Sequence, residues 1–347
     1  MARFARLRQA RRRTRALPGQ GGLWHITAML NRRSLILSAP ASLAAAPGHA
    51  QDAFGAFVTG VRAEARRAGI REATLASAFA GVQPNPRVIE LDRKQPEFTL
   101  TWPEYRARVL PDSRLQGARE NYARERSLLA QVEQRFGVDP GVVMGIWGIE
   151  SAFGANKGNY RLVEALSTLA FEGRRAAYFR TELLNALRIL DAGDVTPARL
   201  TGGWAGAMGQ PQFMPSSYLK LAVDFDGDGR RDIWDSKPDV FGSIANYLAK
   251  NGWRSGEPWG QPVRVPPGTF GGRENRRSLG EWMRAGVTRA DGSPFTRADV
   301  VGAVVTPDGI APGEGFMVYG NFGAIRRYNP SDFYALAVGL LGDTAVA

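Results

Sequence analysis

Apolar residues recur at spacings of three and four from Phe54 through Phe57, Val58 and Val61. The same period returns along Leu115, Tyr122, Leu128, Leu129 and Val132 towards Phe136, so residues 52–137 read as amphipathic helices. Pro84, Pro86, Pro96 and Pro103 interrupt the pattern, and the segment QPEFTLTWPEYRARV reads as extended chain between helices. Asp139-Pro140 has the chemistry of a helix start, an acceptor side chain followed by a residue with no amide hydrogen. The helix it opens is almost wholly apolar until Glu150. Leu162, Leu166 and Leu169 then form one stripe and Phe179, Leu183, Leu187 and Leu190 another, which predicts two more helices. Past Gly252 the pattern changes. Segments 262–265, 300–305 and 315–320 read as short strands, with a small helix at 279–284 between them, and helical period resumes over 331–341. The expected fold class is α+β, mainly helical.

Charge alters this picture at one end only. The chain of 347 residues carries 45 Lys and Arg against 33 Asp and Glu, a net of +12 that taken alone suits a nucleic-acid partner. Nine arginines and no acidic residue precede Asp52, so beyond it the basic excess is only three and no nucleic-acid partner is expected. Residues 1–50 read as a leader. Met29, a candidate true start, opens MLNRRSLILSAPASLAAAPGHA, with a basic beginning, an apolar stretch over 34–46 and a small-residue exit at Gly48-His49-Ala50. Arg32-Arg33 before Ser34-Leu35-Ile36-Leu37 resembles a twin-arginine export signal, and a general secretory signal fits the same features. The apolar stretch is too short to span a bilayer. Cysteine is absent, which excludes a disulfide framework, a thiolate metal site, a catalytic thiol and a lipid-modified cysteine. The expectation is a periplasmic protein with no integral membrane segment once a cleaved signal peptide is gone.

Candidate chemistry begins in GIWGIESAFGANKGN. On a helix, Val143, Trp147, Glu150 and Gly154 share one face. Glu150 therefore lies beside an aromatic ring and near a helix C-terminus, and both disfavour the charged carboxylate. A carboxyl group held protonated suits a general acid, which must give a proton to a leaving oxygen. The alternative is a glutamate that ends a buried helix and points to solvent. Gly145 and Gly148 each cost about 1 kcal/mol of helix stability relative to alanine. They make sense where another backbone or a ligand approaches closely.

IESAFGANKGNYRLVEALSTLAF, YFRTELLNAL, WAGAMGQPQFMPSSY, VDFDGDGRRDIWD, IANYLAKNGW and IRRYNPSDFYALAV, in this order, resemble the lytic murein transglycosylase B family. The resemblance covers most of the chain after the leader. It implies a helical domain over 51–137, a lysozyme-like catalytic core over 138–253, a small α/β insertion over 254–328 and a helix over 329–347 returning to the helical domain. It also implies cleavage of the β-1,4 bond between N-acetylmuramic acid and N-acetylglucosamine in peptidoglycan glycan strands, ending in a 1,6-anhydro sugar. Glu150 falls at the family's single catalytic carboxylate, first acid and then base, with help from the substrate's N-acetyl group. Tyr105, Tyr178, Tyr247, Tyr328 and Tyr334 resemble its tyrosine-rich groove, although each alone also reads as a half-buried core residue. Gln212 and Asn329 resemble saccharide-contacting amides. Arg174 and Arg175 suit the carboxylates of a stem peptide or, equally, a solvated pair on a helix. Other cell-wall enzymes are implied partners. One position departs from the family: a serine commonly stands two residues before AGAMG, where this chain has Gly203. Its hydrogen bond is lost or supplied by Ser151, a backbone amide or water.

DFDGDGRRDIWD, residues 224–235, has the helix-loop-helix calcium spacing: Asp224, Asp226, Asp228, Asp232 and Asp235 at positions 1, 3, 5, 9 and 12, with Gly229 at the turn. The Arg230 carbonyl stands at position 7. Asp235 is shorter than the usual glutamate, so Asp239 is an alternative for completing the shell. The resemblance supports a structural Ca²⁺ at this EF-hand-like loop, and no organic cofactor is expected. A lysozyme-like hydrolase of the same bond and a calcium-stabilised peptidoglycan-binding protein with weak catalysis remain as alternative functions.

Overall fold

The computed structural model describes residues 47–94, 100–172, 174–269, 271–309 and 314–347. Of the leader expected over 1–50, residues 1–46 lie outside these residues, and Gly48-His49-Ala50 falls in the first turn of helix α1 (Pro47–Arg67). Helices α2 (Glu72–Ala78), α3 (Pro86–Arg93), α4 (Trp102–Val109) and α5 (Asp112–Phe136) follow. Two of these correct the sequence reading. Pro86 and Pro103 open helices instead of breaking them, because an N-terminal proline lacks only an amide hydrogen that has no partner there anyway. Helix α4 replaces the extended chain expected around TWPEYRARV: Thr101 and Glu104 form a capping box, with the Glu104 carboxylate accepting from the Thr101 amide at 2.9 Å.

Helix α6 (Pro140–Ser151) starts where the sequence predicts, with the Asp139 side chain accepting from the Val142 amide at 3.2 Å. It leads through the two-residue strand β1 (Tyr160–Arg161) to α7 (Leu162–Glu172) and α8 (Ala176–Ala192). Strand β2 (Thr201–Gly202) pairs with β1, and α9 (Pro215–Leu221) and α10 (Lys237–Lys250) flank the acidic loop. Strand β3 (Gly260–Arg264), β4 (Arg276–Ser278), helix α11 (Leu279–Arg284), β5 (Thr288–Arg289), β6 (Val301–Val305) and β7 (Gly315–Val318) then build an antiparallel sheet of order β4-β6-β7-β3-β5. The sequence reading lacks β4 and β5, which are too short to carry an alternating pattern. It also lacks α12 (Gly320–Tyr328), which precedes the last helix, α13 (Asp332–Val346).

Packing follows from these faces. Helices α4, α5, α6, α10, α12 and α13 share one core, which includes Trp102, Leu129, Trp147, Phe241, Ile325 and Leu336. Helices α1, α2, α3, α7, α8 and α9 share a second, with Phe54, Leu75, Val88, Leu166, Leu183 and Tyr218. The cores thus cut across segments 51–137 and 138–253. The sheet obeys the two-residue alternation of strands: Ala303, Val305, Phe316 and Val318 face the first core, while Val263, Val304 and Met317 face a small cluster with Leu279 and Trp282. Among the described residues no helix is long and apolar enough to cross a membrane.

Helices α6 and α13, both apolar on nearly every face, approach each other closely. A Cβ on Gly145 would lie 2.3 Å from the Val338 carbonyl oxygen, and one on Gly342 would lie 2.6 Å from that of Gly141. The helix glycines thus admit another backbone, as their cost in propensity implied. Gly145→Ala sets a propensity gain of about 1 kcal/mol against overpacking of about 1–3 kcal/mol. The obstacle is backbone and cannot swing away, so the variant is expected to lose stability in urea denaturation. An unchanged or raised midpoint would show that the two helices have room to part.

Candidate active site

Glu150 ends the last turn of α6 and is 7% exposed. Behind it the chain turns sharply, because Ala152, Phe153 and Gly154 have φ of 50°, 60° and 84°. The Phe153 ring folds back onto Trp147, edge to face at 5.5 Å, and occupies the space beside Gly148, where a Cβ would lie 2.6 Å from it. The Tyr334 hydroxyl, from the first turn of α13, donates to Glu150 Oε1 at 2.6 Å. Tyr334 itself is 2% exposed. Burial, and then the Glu150 charge, push the Tyr334 and Tyr328 hydroxyls well above the ordinary phenol range, and the same causes raise Tyr105. These phenols therefore stay neutral and remain hydrogen-bond donors.

The remaining tyrosines divide into two groups. Tyr328 and Tyr247 pack at 4.5 Å between ring centres, each also against Phe213, and Tyr328 touches both hydrophobic cores. Their hydroxyls donate to backbone carbonyls, Tyr328 to Pro211 at 2.6 Å and Tyr247 to Arg327 at 2.5 Å. Tyr105 packs on Trp102 and Phe333. Tyr178 is separate: it lies on α8, 41% exposed, edge-on to Phe179. Arg174 and Arg175 precede it and both pair with Asp92 on α3, at 3.3 and 3.5 Å.

Gln212 is buried with φ of 52°. Its amide nitrogen donates to the Gly209 carbonyl at 2.7 Å and to the Lys157 carbonyl at 3.3 Å, and its side-chain oxygen has no hydrogen-bond partner among the described residues. Asn329 accepts from the Ser331 amide at 3.2 Å. Ser151, offered above as one source of the hydrogen bond missing at Gly203, is 1% exposed. Its hydroxyl donates to the Trp147 carbonyl and accepts from the Gly154 amide, both at 3.1 Å, so it braces the turn after Glu150. The Gly203 amide donates to Ala207 at 2.8 Å.

In the acidic loop, Asp224, Asp226 and Asp239 bring carboxylate oxygens within 4.8 Å of one another. Asp239 is fully buried and accepts from the Phe225 and Asp232 amides, each at 2.7 Å. Burial pushes its carboxyl up to about 6, against those amides. The other expected ligands go elsewhere. Asp228 pairs with Arg230 at 2.8 Å, Asp232 accepts from the Trp234 and Asp235 amides, and Asp235 pairs with Lys157 at 2.7 Å and with Arg199. Lys157 and Arg199 hold the Asp235 carboxyl below the usual carboxylate range. Of the two candidates for completing the set, the structure brings in Asp239.

Sequence reading missed Gln210, two residues before Gln212 and 6% exposed. Its amide oxygen accepts from the Trp147 indole at 2.7 Å and its nitrogen donates to the Trp234 carbonyl at 2.8 Å. A signal was available: it is a long polar residue inside the Gly- and Ala-rich run GWAGAMGQPQF, where buried amides are retained only if both ends are bonded.

The sequence pattern of the transglycosylase SLT domain matches residues 53–343. The membrane-bound lytic murein transglycosylase B of Escherichia coli (strain K12) is 35% identical over 252 residues, which span 70% of this chain and 66% of that protein. SltB3 of Pseudomonas aeruginosa in complex with NAG-anhNAM-pentapeptide superposes with a TM-score of 0.81 at 43% identity, covering 85% of this chain and 80% of that one. The Escherichia coli lytic transglycosylase Slt35 in complex with calcium gives 0.70 at 30% identity, covering 85% and 93%. The mostly helical body with its small sheets is thus the lysozyme-like SLT fold. With the glutamate-bearing helix, the tyrosines and nearly the whole described chain inside the matched region, the protein belongs to the transglycosylase SLT-domain family.

Proposed function

We propose that the protein is a peptidoglycan lytic transglycosylase that cleaves the MurNAc-β-1,4-GlcNAc bond and leaves 1,6-anhydro-MurNAc ends, with Glu150 as the single general acid and base. The observation that carries this reading is a buried carboxylate, at the end of an apolar helix, held by a neutral tyrosine hydroxyl at 2.6 Å. Such a group can give its proton to the glycosidic oxygen as the bond to the anomeric carbon breaks. The resulting carboxylate then takes the proton of the sugar's own 6-hydroxyl, whose oxygen closes on the anomeric carbon. The proton returns to Glu150 and no water is consumed, unlike the two-carboxylate hydrolases. The anhydro sugar named with SltB3 supports carrying this outcome over.

In this reading Tyr334 orients the carboxyl, and Tyr105, Tyr247 and Tyr328 wall the groove with rings that suit sugar faces. Gln212 and Asn329 take the saccharide-contacting amide roles that the family implies, Asn329 next in sequence to Tyr328. Tyr178 offers an exposed ring further out, beside Arg174 and Arg175, whose shared Asp92 leaves one positive charge for a stem-peptide carboxylate. The α/β segment is an insertion, and the leader sends the protein to the periplasm, where peptidoglycan lies. Asp224, Asp226 and Asp239 suit calcium, since they offer hard oxygen donors whose charges repel one another unless a cation lies between them. The ion would neutralise the loop and hold it between α9 and α10.

Two outcomes are expected. Glu150→Gln lowers the release of anhydro-muropeptides from sacculi, read by mass spectrometry, by about 10²–10⁴-fold, with the circular dichroism spectrum retained. Reducing-end products from the wild type would replace the lyase by a lysozyme-like hydrolase, and undiminished turnover in the variant would leave a peptidoglycan-binding protein. Chelation with EGTA lowers the thermal midpoint, and calcium restores it. An ion present at about 100 times its dissociation constant adds about 2.7 kcal/mol. Asp239→Asn removes the calcium-dependent part, and a midpoint indifferent to calcium in the wild type would sink the assignment.

A further inference from the structure

We propose that Gln210 is a positioning residue for Glu150, acting through the Trp147 indole and the turn at Gly154; the proposal rests on the lytic transglycosylase reading above. Gln210 belongs to the segment between β2 and α9, far along the chain from α6, yet its amide touches both sides of the catalytic residue. On the helical side it accepts from Trp147 Nε1 at 2.7 Å, one turn before Glu150. On the other side its oxygen lies 2.5 Å from where a Cβ on Gly154 would stand, in the turn that follows Glu150. The glutamate is thus fixed at both flanks by one buried side chain.

What fixes Gln210 lies outside α6. Its side-chain nitrogen donates to the Trp234 carbonyl at 2.8 Å and its backbone amide to the Ile233 carbonyl at 2.9 Å. The Trp234 amide in turn donates to Asp232 at 2.9 Å, and the Asp232 amide to Asp239 at 2.7 Å. An unbroken series of hydrogen bonds therefore runs from the buried carboxylate of the acidic loop to the helix of Glu150. The amide accepts from an indole at one end and donates to a carbonyl at the other while staying neutral at every pH. A thioether of similar length would leave the Trp147 donor and the Trp234 acceptor unpaired in a dry interior.

The test uses the full-length protein on purified glycan strands, with kcat and KM measured separately for Gln210→Met, Gln210→Glu, Trp147→Phe and the Gln210→Met/Trp147→Phe pair. Gln210→Met is expected to lower kcat by about 10²-fold, the effect of a misplaced catalytic group, with KM unchanged because Gln212 and the tyrosines are intact. The double variant should lose no more than the worse single one, since both remove the same bond. Gln210→Glu supplies a readout that simple loss of packing would not move. Its kcat, relative to wild type, should recover as the pH falls and the new carboxyl gains the proton that replaces the amide donor. If Gln210→Met fails to fold by circular dichroism, Gln210→Glu and Trp147→Phe carry the comparison. An unchanged kcat, a rise in KM alone, losses that multiply in the double variant, or a flat pH ratio for Gln210→Glu would each overturn the proposal. A wild type that releases no anhydro ends would instead overturn the function it rests on.

Discussion

Backbone contact between α6 and α13 is the constraint on which the site depends. Tyr334 reaches Glu150 across 184 positions of sequence because the Val338 carbonyl sits where any side chain at position 145 would be. Two helices at ordinary spacing would be held apart by their side chains, about 8–10 Å between axes. A hydroxyl one turn into α13 would then fall short of the carboxylate. The stretch of α6 that looks uneconomical as a helix, with glycines at 141, 145 and 148, is what brings the pair within hydrogen-bond range.

Around that contact the tyrosines supply neutral donors. Phenols pushed far above neutrality by burial stay protonated and donate without adding charge. Several cations among the described residues have carboxylate partners of their own. Lys157 and Arg199 are drawn to Asp235, Arg231 to Asp194, and Arg174 and Arg175 to Asp92.

Much of this could be read from the residues. Asp139-Pro140, the leucine stripes of α7 and α8 and the strands at 301–305 and 315–318 follow local rules of capping and period, and local rules survive folding. Pro103 misled because the Thr101–Glu104 capping box outweighs its usual reading as a breaker. The spacing of the acidic loop placed five aspartates in a ring. The structure commits three of them to Arg230, to backbone amides or to Lys157 and Arg199, and draws in Asp239 from the next helix instead. The pairing of Asp235 with Lys157 and Arg199 depends on partners distant in sequence, as does the role of Gln210. No pattern within a window of ten residues encodes them.

The turn after Glu150 bears on when the site comes into being during folding. Ala152 and Phe153 hold left-handed conformations that cost L-residues about 1–2 kcal/mol each. No local signal favours them. They persist because Phe153 is pinned on Trp147 and the Gly154 amide on Ser151. A free chain carrying the same ESAFG letters would relax out of this shape. The complete site is present only once α6, α13 and the loop of Gln210 have closed around that turn, because Tyr334 and Gln210 come from distant parts of the chain.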